Sequence, residues 1–319
     1  MDASVVIPTR NRSRLLGETL ASVLAQRDVD LEVIVVDDAS IDPVEATLRP
    51  ADPRVRVLRH AAASGPNAAR NTGAAAAAGR WIAFVDDDDL WAPEKLSAQI
   101  EAAGADGRRW VYAGSVNVDA GLRVIHGMPP PDPETVAATL PRFNSIPASA
   151  SNVVIDGETF RRLGGFDERL RACEEWELWL RLLADGLPAW VRRPMVAYRM
   201  HRTNAILDVA ALEDGARQLE RIHGTSIDRG RFHRWAAQLC VRGGDRRGAL
   251  RQYGLAVVHG AWRDVSGDVA MLAQRTLERR GFGPPPRRRS GDPAWESLAE
   301  VWLSDIRGSA TDGTAEELP

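Results

Sequence analysis

An α/β fold, built on a Rossmann-like, mostly parallel sheet with helices on both faces, is predicted by three observations. Short β-branched runs recur through the N-terminal third, at 4–8, 31–36, 55–58 and 81–85. Helical patterns separate them: Leu15, Leu16, Leu20, Val23 and Leu24 repeat at helical spacing, and the alanine-rich segment 66–78 has Pro66 near its start and Gly79 past its end. The runs are apolar throughout rather than alternating, as in parallel strands covered by helices on either side.

Each element follows in order. The first strand, 4–8, leads through Asn11, a candidate cap, into the leucine-patterned helix. The second ends in Asp37-Asp38, and the fourth, 81–85, runs into four aspartates, 86–89. Polar groups therefore stand repeatedly at the carboxyl ends of strands, where open α/β sheets bind their ligands. Beyond residue 108 the order becomes mixed. Strands are expected at 109–116, 122–125, 151–155 and 189–200, and helices at 158–163 and 174–184, while the proline-rich 128–147 reads as a long loop, a candidate lid. The pattern is helical from 206 to 280. Pro284-Pro285-Pro286 opens a linker, and the acidic remainder carries one amphipathic stretch, 295–306. Three regions result: an α/β domain over 1–208, a helical extension over 209–282, and a Pro/Arg linker with a flexible acidic tail over 283–319.

Composition narrows the partners. A net charge of -3 gives no global attraction to nucleic acid. Residues 216–290 nevertheless hold sixteen arginines against six acids, and 291–319 seven acids against one arginine. No run is long enough to span a membrane, and Met1–Pro8 lacks the features of a signal peptide. Two cysteines fit a reducing compartment. The expectation is a cytoplasmic protein, with peripheral contact at the inner face of the membrane left open. Against a lipid contact, no helix combines Lys/Arg and aromatic residues in a strongly amphipathic pattern.

The acidic run is the main chemical signal. Four adjacent carboxylates after an apolar strand are costly unless a cation or polar cleft receives them. In extended backbone Asp86 and Asp88 would project to one side, and two hard oxygen donors suit Mg²⁺ or Mn²⁺ carrying a phosphate-rich ligand. A solvated acidic turn is the plain alternative. Glu174-Glu175 opens a helix, where carboxylates are favourable through the helix dipole alone.

Six segments in order, Val5–Arg12, Val35–Ser40, Ala69–Gly73, Phe84–Trp91, Gly164–Glu168 and Glu174–Trp179, resemble the inverting family-2 glycosyltransferases of the GT-A fold over about residues 3–203. The resemblance implies a nucleotide-sugar donor, with UDP-sugar first, and metal assistance by Mn²⁺ or Mg²⁺. It places Pro8, Thr9, Arg10, Asp38, Arg70 and Asp86 at the nucleotide, with Asp38 accepting from the base and Arg70 pairing with the diphosphate. It also implies Asp88 and Asp86 at the metal, joined by His201, and Gly164–Glu168 as an acceptor-side wall. Glu175 takes the position of the usual aspartate base, with Glu174 as the second candidate. The acceptor hydroxyl is left open among glycans, lipid-linked glycans, small molecules and peptides. A non-catalytic nucleotide-sugar scaffold is the competing reading, and Glu in place of Asp is what favours it.

Overall fold

Alternation along the strands divides the interior into two cores. The computed structural model describes residues 1–44, 52–200, 208–279 and 293–312. Within them β1 (Ala3–Thr9), β2 (Leu31–Asp37), β3 (Val55–Arg59) and β4 (Trp81–Phe84) run parallel. Val5 and Ile7 of β1 and Val33 and Val35 of β2 share one core with Leu16, Leu20 and Val23 of α1 (Ser13–Leu24). Val6, Ile34, Val36 and Phe84 share the other with Ala69 and Ala74 of α2 (Pro66–Ala76). Successive side chains thus cover opposite faces, each sealed by a helix. α2 lies close to β1 because position 73 is glycine: a Cβ there would meet Val6 Cγ1 at 2.4 Å.

The second half of the sheet is less regular. It comprises β5 (Leu90–Trp91), α3 (Lys95–Ala105), β6 (Trp110–Val118), β7 (Val124–Met128), α4 (Pro133–Thr139), α5 (Ser149–Asn152), β8 (Val154–Asp156), α6 (Gly157–Arg162), α7 (Glu174–Asp185) and β9 (Ala189–Arg199). The strand order is β3-β2-β1-β4-β8-β6-β9-β5, with β7 on β6. β8 is antiparallel to both β4 and β6, β5 is antiparallel to β9, and β6 is parallel to β9. The parallel character is therefore confined to about half the sheet.

Several local expectations are corrected. The segment 151–155 is a turn of helix followed by a three-residue strand, because Ser151 and Asn152 turn inward to bond Asp89 and the backbone of Ala113. The loop 128–147 contains α4, started by Pro133 and capped by Asp132, which accepts from Thr135 N. Asn11 does not cap α1; its φ is +58°, and its side chain accepts from Ile41 N.

Beyond the sheet, α8 (Val209–His223), α9 (Arg229–Gly243), α10 (Arg246–Val258) and α11 (Trp262–Arg279) follow in succession. Asp208, Asp228 and Asp245 cap the first three, each accepting from a backbone N–H of the first turn. The expected flexible tail is corrected over much of its length, since α12 (Pro293–Asp312) lies against β7 and β9. Trp295, Ala299, Trp302 and Leu303 are buried in the same core as α1. Trp295 fills the space left by Gly114 and Gly127, where a Cβ would lie 2.0 and 2.7 Å from its ring, and it donates to Ser115 O at 3.0 Å.

Candidate active site

Beyond the carboxyl ends of β1, β2 and β4 lies one cluster of polar side chains, wired by arginine–carboxylate pairs. The aspartate run does not continue as a strand. Asp89 N donates to Asp86 O at 3.1 Å, so the chain turns and its side chains take three different directions, Asp87 and Asp88 together. The expected projection of Asp86 and Asp88 to one side is corrected on this point. Asp86 meets Arg70 at 2.7 Å, whereas Asp87 and Asp88 meet Arg12 at 3.1 and 2.8 Å. Asp89 turns inward, accepting from Ser151 Oγ at 2.5 Å and Arg199 N at 3.0 Å. Burial, and next the repulsion of Asp88 and Asp86, raise its pKa well above the carboxylate range. Asp87, which accepts from Thr9 Oγ1 at 2.6 Å, is pushed up to about 6, chiefly by burial.

On the β2 side, Asp38 is almost fully enclosed. Its Oδ1 accepts from Ser64 N at 2.8 Å and lies 2.8 Å from His60 Nδ1, and its Oδ2 accepts from Gly65 N at 2.9 Å. Burial opposes its charge, yet these donors outweigh it and hold the pKa below the usual value. Gly65, at φ +92°, makes the turn that brings both N–H groups inward ahead of Pro66. A carboxylate oxygen accepts two hydrogen bonds, so Oδ2 keeps capacity for one more donor. His60 Nε2, 3.0 Å from Thr72 Oγ1, ties this loop to α2.

Arg70 is the centre of the cluster. It is 4% exposed and contacts three carboxylates: Asp86, Glu174 Oε1 at 3.3 Å and Glu175 Oε1 at 3.6 Å. Its guanidinium also lies 5.2 Å from the ring centroid of Phe166. Burial disfavours its charge, but Asp86, Glu175 and Glu174 together raise its pKa above the ordinary value. Glu174 and Glu175 open α7 directly after its N-cap Cys173, where the chain turns at a φ of +62°. Glu175 also accepts from Ser149 Oγ at 2.6 Å. Its carboxyl is pushed up to about 7, first by burial and then by Glu174, with Arg70 opposing. Asn71 clasps the neighbouring wall, donating to Phe166 O and accepting from Phe166 N, both at 2.9 Å.

The fold thus brings Thr9, Asp38, Arg70, Asp86, Asp88, Glu174 and Glu175 to the same end of the sheet. Pro8 is buried within β1, Arg10 is exposed, and His201 lies outside the described residues. Among the described residues no three His, Cys, Asp or Glu side chains are grouped to hold a metal. Trp91 and Trp176, which flank the two acidic motifs, are core residues that donate to Ser151 O and Leu140 O. Arg12, His60, Ser149 and Arg199 escaped sequence reasoning as site residues. For Arg12 a signal existed, since buried aspartates require a cation within reach.

Residues 4–156 match the model of the family described as "Glycosyl transferase family 2", and residues 134–210 that of "Glycosyltransferase like family 2". The chain is 42% identical over 107 residues to the succinoglycan biosynthesis protein ExoO of Rhizobium meliloti, covering 33% of this chain and 31% of that protein. It is 27% identical over 203 residues to an uncharacterized glycosyltransferase of Haemophilus influenzae, 62% of this chain and 68% of that one. It is 38% identical over 98 residues to the Escherichia coli UDP-Glc:alpha-D-GlcNAc-diphosphoundecaprenol beta-1,3-glucosyltransferase WfgD, 30% of this chain and 39% of that enzyme. The matches to ExoO and WfgD thus span about a third of those proteins. In fold it resembles TarS 1-349 of S. aureus, crystallised with UDP-GlcNAc, at a TM-score of 0.56 and 16% identity over 83% of this chain and 92% of that one. The two family models together take in the whole sheet and the polar cluster at its strand ends, and the chain belongs to glycosyltransferase family 2.

Proposed function

We propose that the chain is an inverting glycosyltransferase that moves a sugar from a UDP-sugar to an acceptor hydroxyl, with Glu175 as general base. The observation that carries this reading is the shared guanidinium. Arg70 holds Asp86, on the donor side, and Glu175, on the acceptor side, within 2.7 and 3.6 Å of the same nitrogen. A base works best with a pKa near the operating pH, and burial beside Glu174 brings Glu175 to about 7. In the reaction Glu175 takes the acceptor hydroxyl proton. The acceptor oxygen forms its bond to the anomeric carbon as the bond to the diphosphate breaks on the opposite face. Arg70 and Arg12 lie where negative charge accumulates on the leaving diphosphate, and such charge is stabilised by preorganised cations. Oδ2 of Asp38, with its spare acceptor position, suits the imide N–H of uracil. The UDP ligands of TarS and the UDP-Glc donor in the WfgD name support a uridine donor.

The donor set also fits Mg²⁺ or Mn²⁺. Asp88 and Asp86 are hard oxygen donors, and the cationic Arg12 already stands against Asp88 at 2.8 Å, so this position favours positive charge. Such ions bind through one or two carboxylates and complete their shell with substrate phosphates and water, so a preformed cluster is not required. When bound, the ion would neutralise diphosphate charge. Replacing a general base typically costs about 10²–10⁴-fold in rate while leaving donor binding intact. Glu175→Gln should bind UDP-sugar as the wild type does and transfer poorly, whereas Glu175→Asp should retain substantial activity. Wild-type turnover in Glu175→Gln would reject this base.

A further inference from the structure

We propose that the outward face of α10, continued by the start of α11, is a docking surface for an anionic phospholipid bilayer. Leu250 and Val258 on α10 are 77% and 79% exposed, and Val257 and Trp262 are exposed beside them along the chain. Leu250 and Val257 are seven residues apart, so they share one side of the helix, and Val258 adjoins it. The opposite side is buried through Ala249, Gln252 and Ala256. The turn after α10 is closed by Gly260 N to Val257 O and Ala261 N to Ala256 O, and it delivers Trp262 directly after the apolar stripe.

Cations border the same face. Arg246, Arg247 and Arg251 lie on α10, which carries no acidic residue between Arg246 and Val258. Among the described residues Arg246 and Arg247 form no ion pair, and Arg251 reaches Glu213 only at 3.9 Å. Arg263 stacks on Trp262, its guanidinium carbon 5.1 Å from the ring centroid. Of the nearby acids, Asp245 accepts from Gly248 N as the helix cap, and Asp264 is exposed, 4.0 Å from Arg234. No single helix combines arginine and aromatic residues in this way, as the sequence indicates; here α10 supplies the aliphatic side chains and arginines, and Trp262 is added by the start of α11. Together they match the chemistry of the headgroup–acyl boundary, whereas a soluble protein partner calls for pairing acids and donors. No helix among the described residues is long and apolar enough to cross a membrane, so the contact is peripheral. It is independent of the donor chemistry proposed above.

Flotation with vesicles tests this with the full chain and no donor. The wild type should float with phosphatidylcholine vesicles containing phosphatidylglycerol and remain unbound with phosphatidylcholine alone. Leu250→Asp/Val258→Asp should abolish flotation while thermal midpoint and circular dichroism stay unchanged, because both positions face solvent. Arg246→Ala/Arg247→Ala should weaken binding by about 25-fold at low salt, about fivefold for each arginine. Three outcomes would overturn the proposal: a wild type that does not float with anionic vesicles, an aspartate variant that floats equally well, or an aspartate variant that instead turns a dimer into a monomer in sedimentation.

Discussion

Glu175 sits among groups that pull its proton in opposite directions, and the balance can be tested at single positions. Burial and Glu174 raise its pKa, and Arg70 and the Ser149 hydroxyl lower it, leaving it near 7. A base must be ionised to act, so transfer should rise with pH through about 7. Removing the Glu174 charge takes away the second-largest cause of the shift. Glu174→Gln should therefore move the acidic limb of the kcat profile to lower pH, with UDP affinity retained. An unmoved limb would show that another group sets it. The sign for stability is opposite to that for activity. The folded state holds this proton more tightly than the unfolded chain, so the contribution is complete below the ordinary glutamate value of 4.5 and is lost as pH rises through about 7. Glu174, Glu175, Asp38 and Arg70 were legible in the sequence because each stands in a segment of recognisable pattern. The Arg12 clamp was not, since its partners Asp87 and Asp88 are 75 and 76 residues away and meet it only once the acidic run turns.

At the scale of elements, the parallel half of the sheet could be read directly because each strand is a continuous apolar run closed by polar residues. The antiparallel half could not. β8 has three residues and β5 two, too short to show a period, and β8 follows directly on a helical turn over Ser149–Asn152. α12 shows a different failure. Trp295, Ala299, Trp302 and Leu303 recur at helical spacing and were recognised as amphipathic, but the groove that receives them is made by glycines in β6 and β7, about 180 residues earlier. An acidic composition hid a structural helix. Its contribution is measurable, because truncating a buried tryptophan typically costs about 3–5 kcal/mol. Trp295→Ala should lower the unfolding free energy in urea by that amount. Gly114→Ala should act in the same direction, since the added methyl would overlap the Trp295 ring. Changes within about 0.5 kcal/mol, the range of surface substitutions, would mean that α12 rests on the sheet without stabilising it.

The molecule as a whole places one cluster of charge at one end of the sheet, and this arrangement makes a test of donor and ion together. Asp86 pairs with Arg70, and Asp87 and Asp88 share Arg12, so part of their charge is already neutralised within the protein. The proposed UDP donor would bring further negative charge to the same place, and binding it should require either a rearrangement of these arginines toward the diphosphate or an added divalent cation. The two routes differ in calorimetry. With a cation at Asp88, UDP affinity should fall strongly in EDTA, recover with Mn²⁺ or Mg²⁺, and lose that recovery in Asp88→Ala. With arginines alone, EDTA should have no effect, and Arg12→Ala should weaken UDP binding in all conditions. Asp89→Ala is the control for fold, because Asp89 bonds Ser151 and Arg199 N, so its loss should lower the thermal midpoint more than Asp88→Ala does. Equal UDP affinity with and without EDTA in the wild type would remove the metal from the proposal and leave Arg12 and Arg70 as the diphosphate-binding groups.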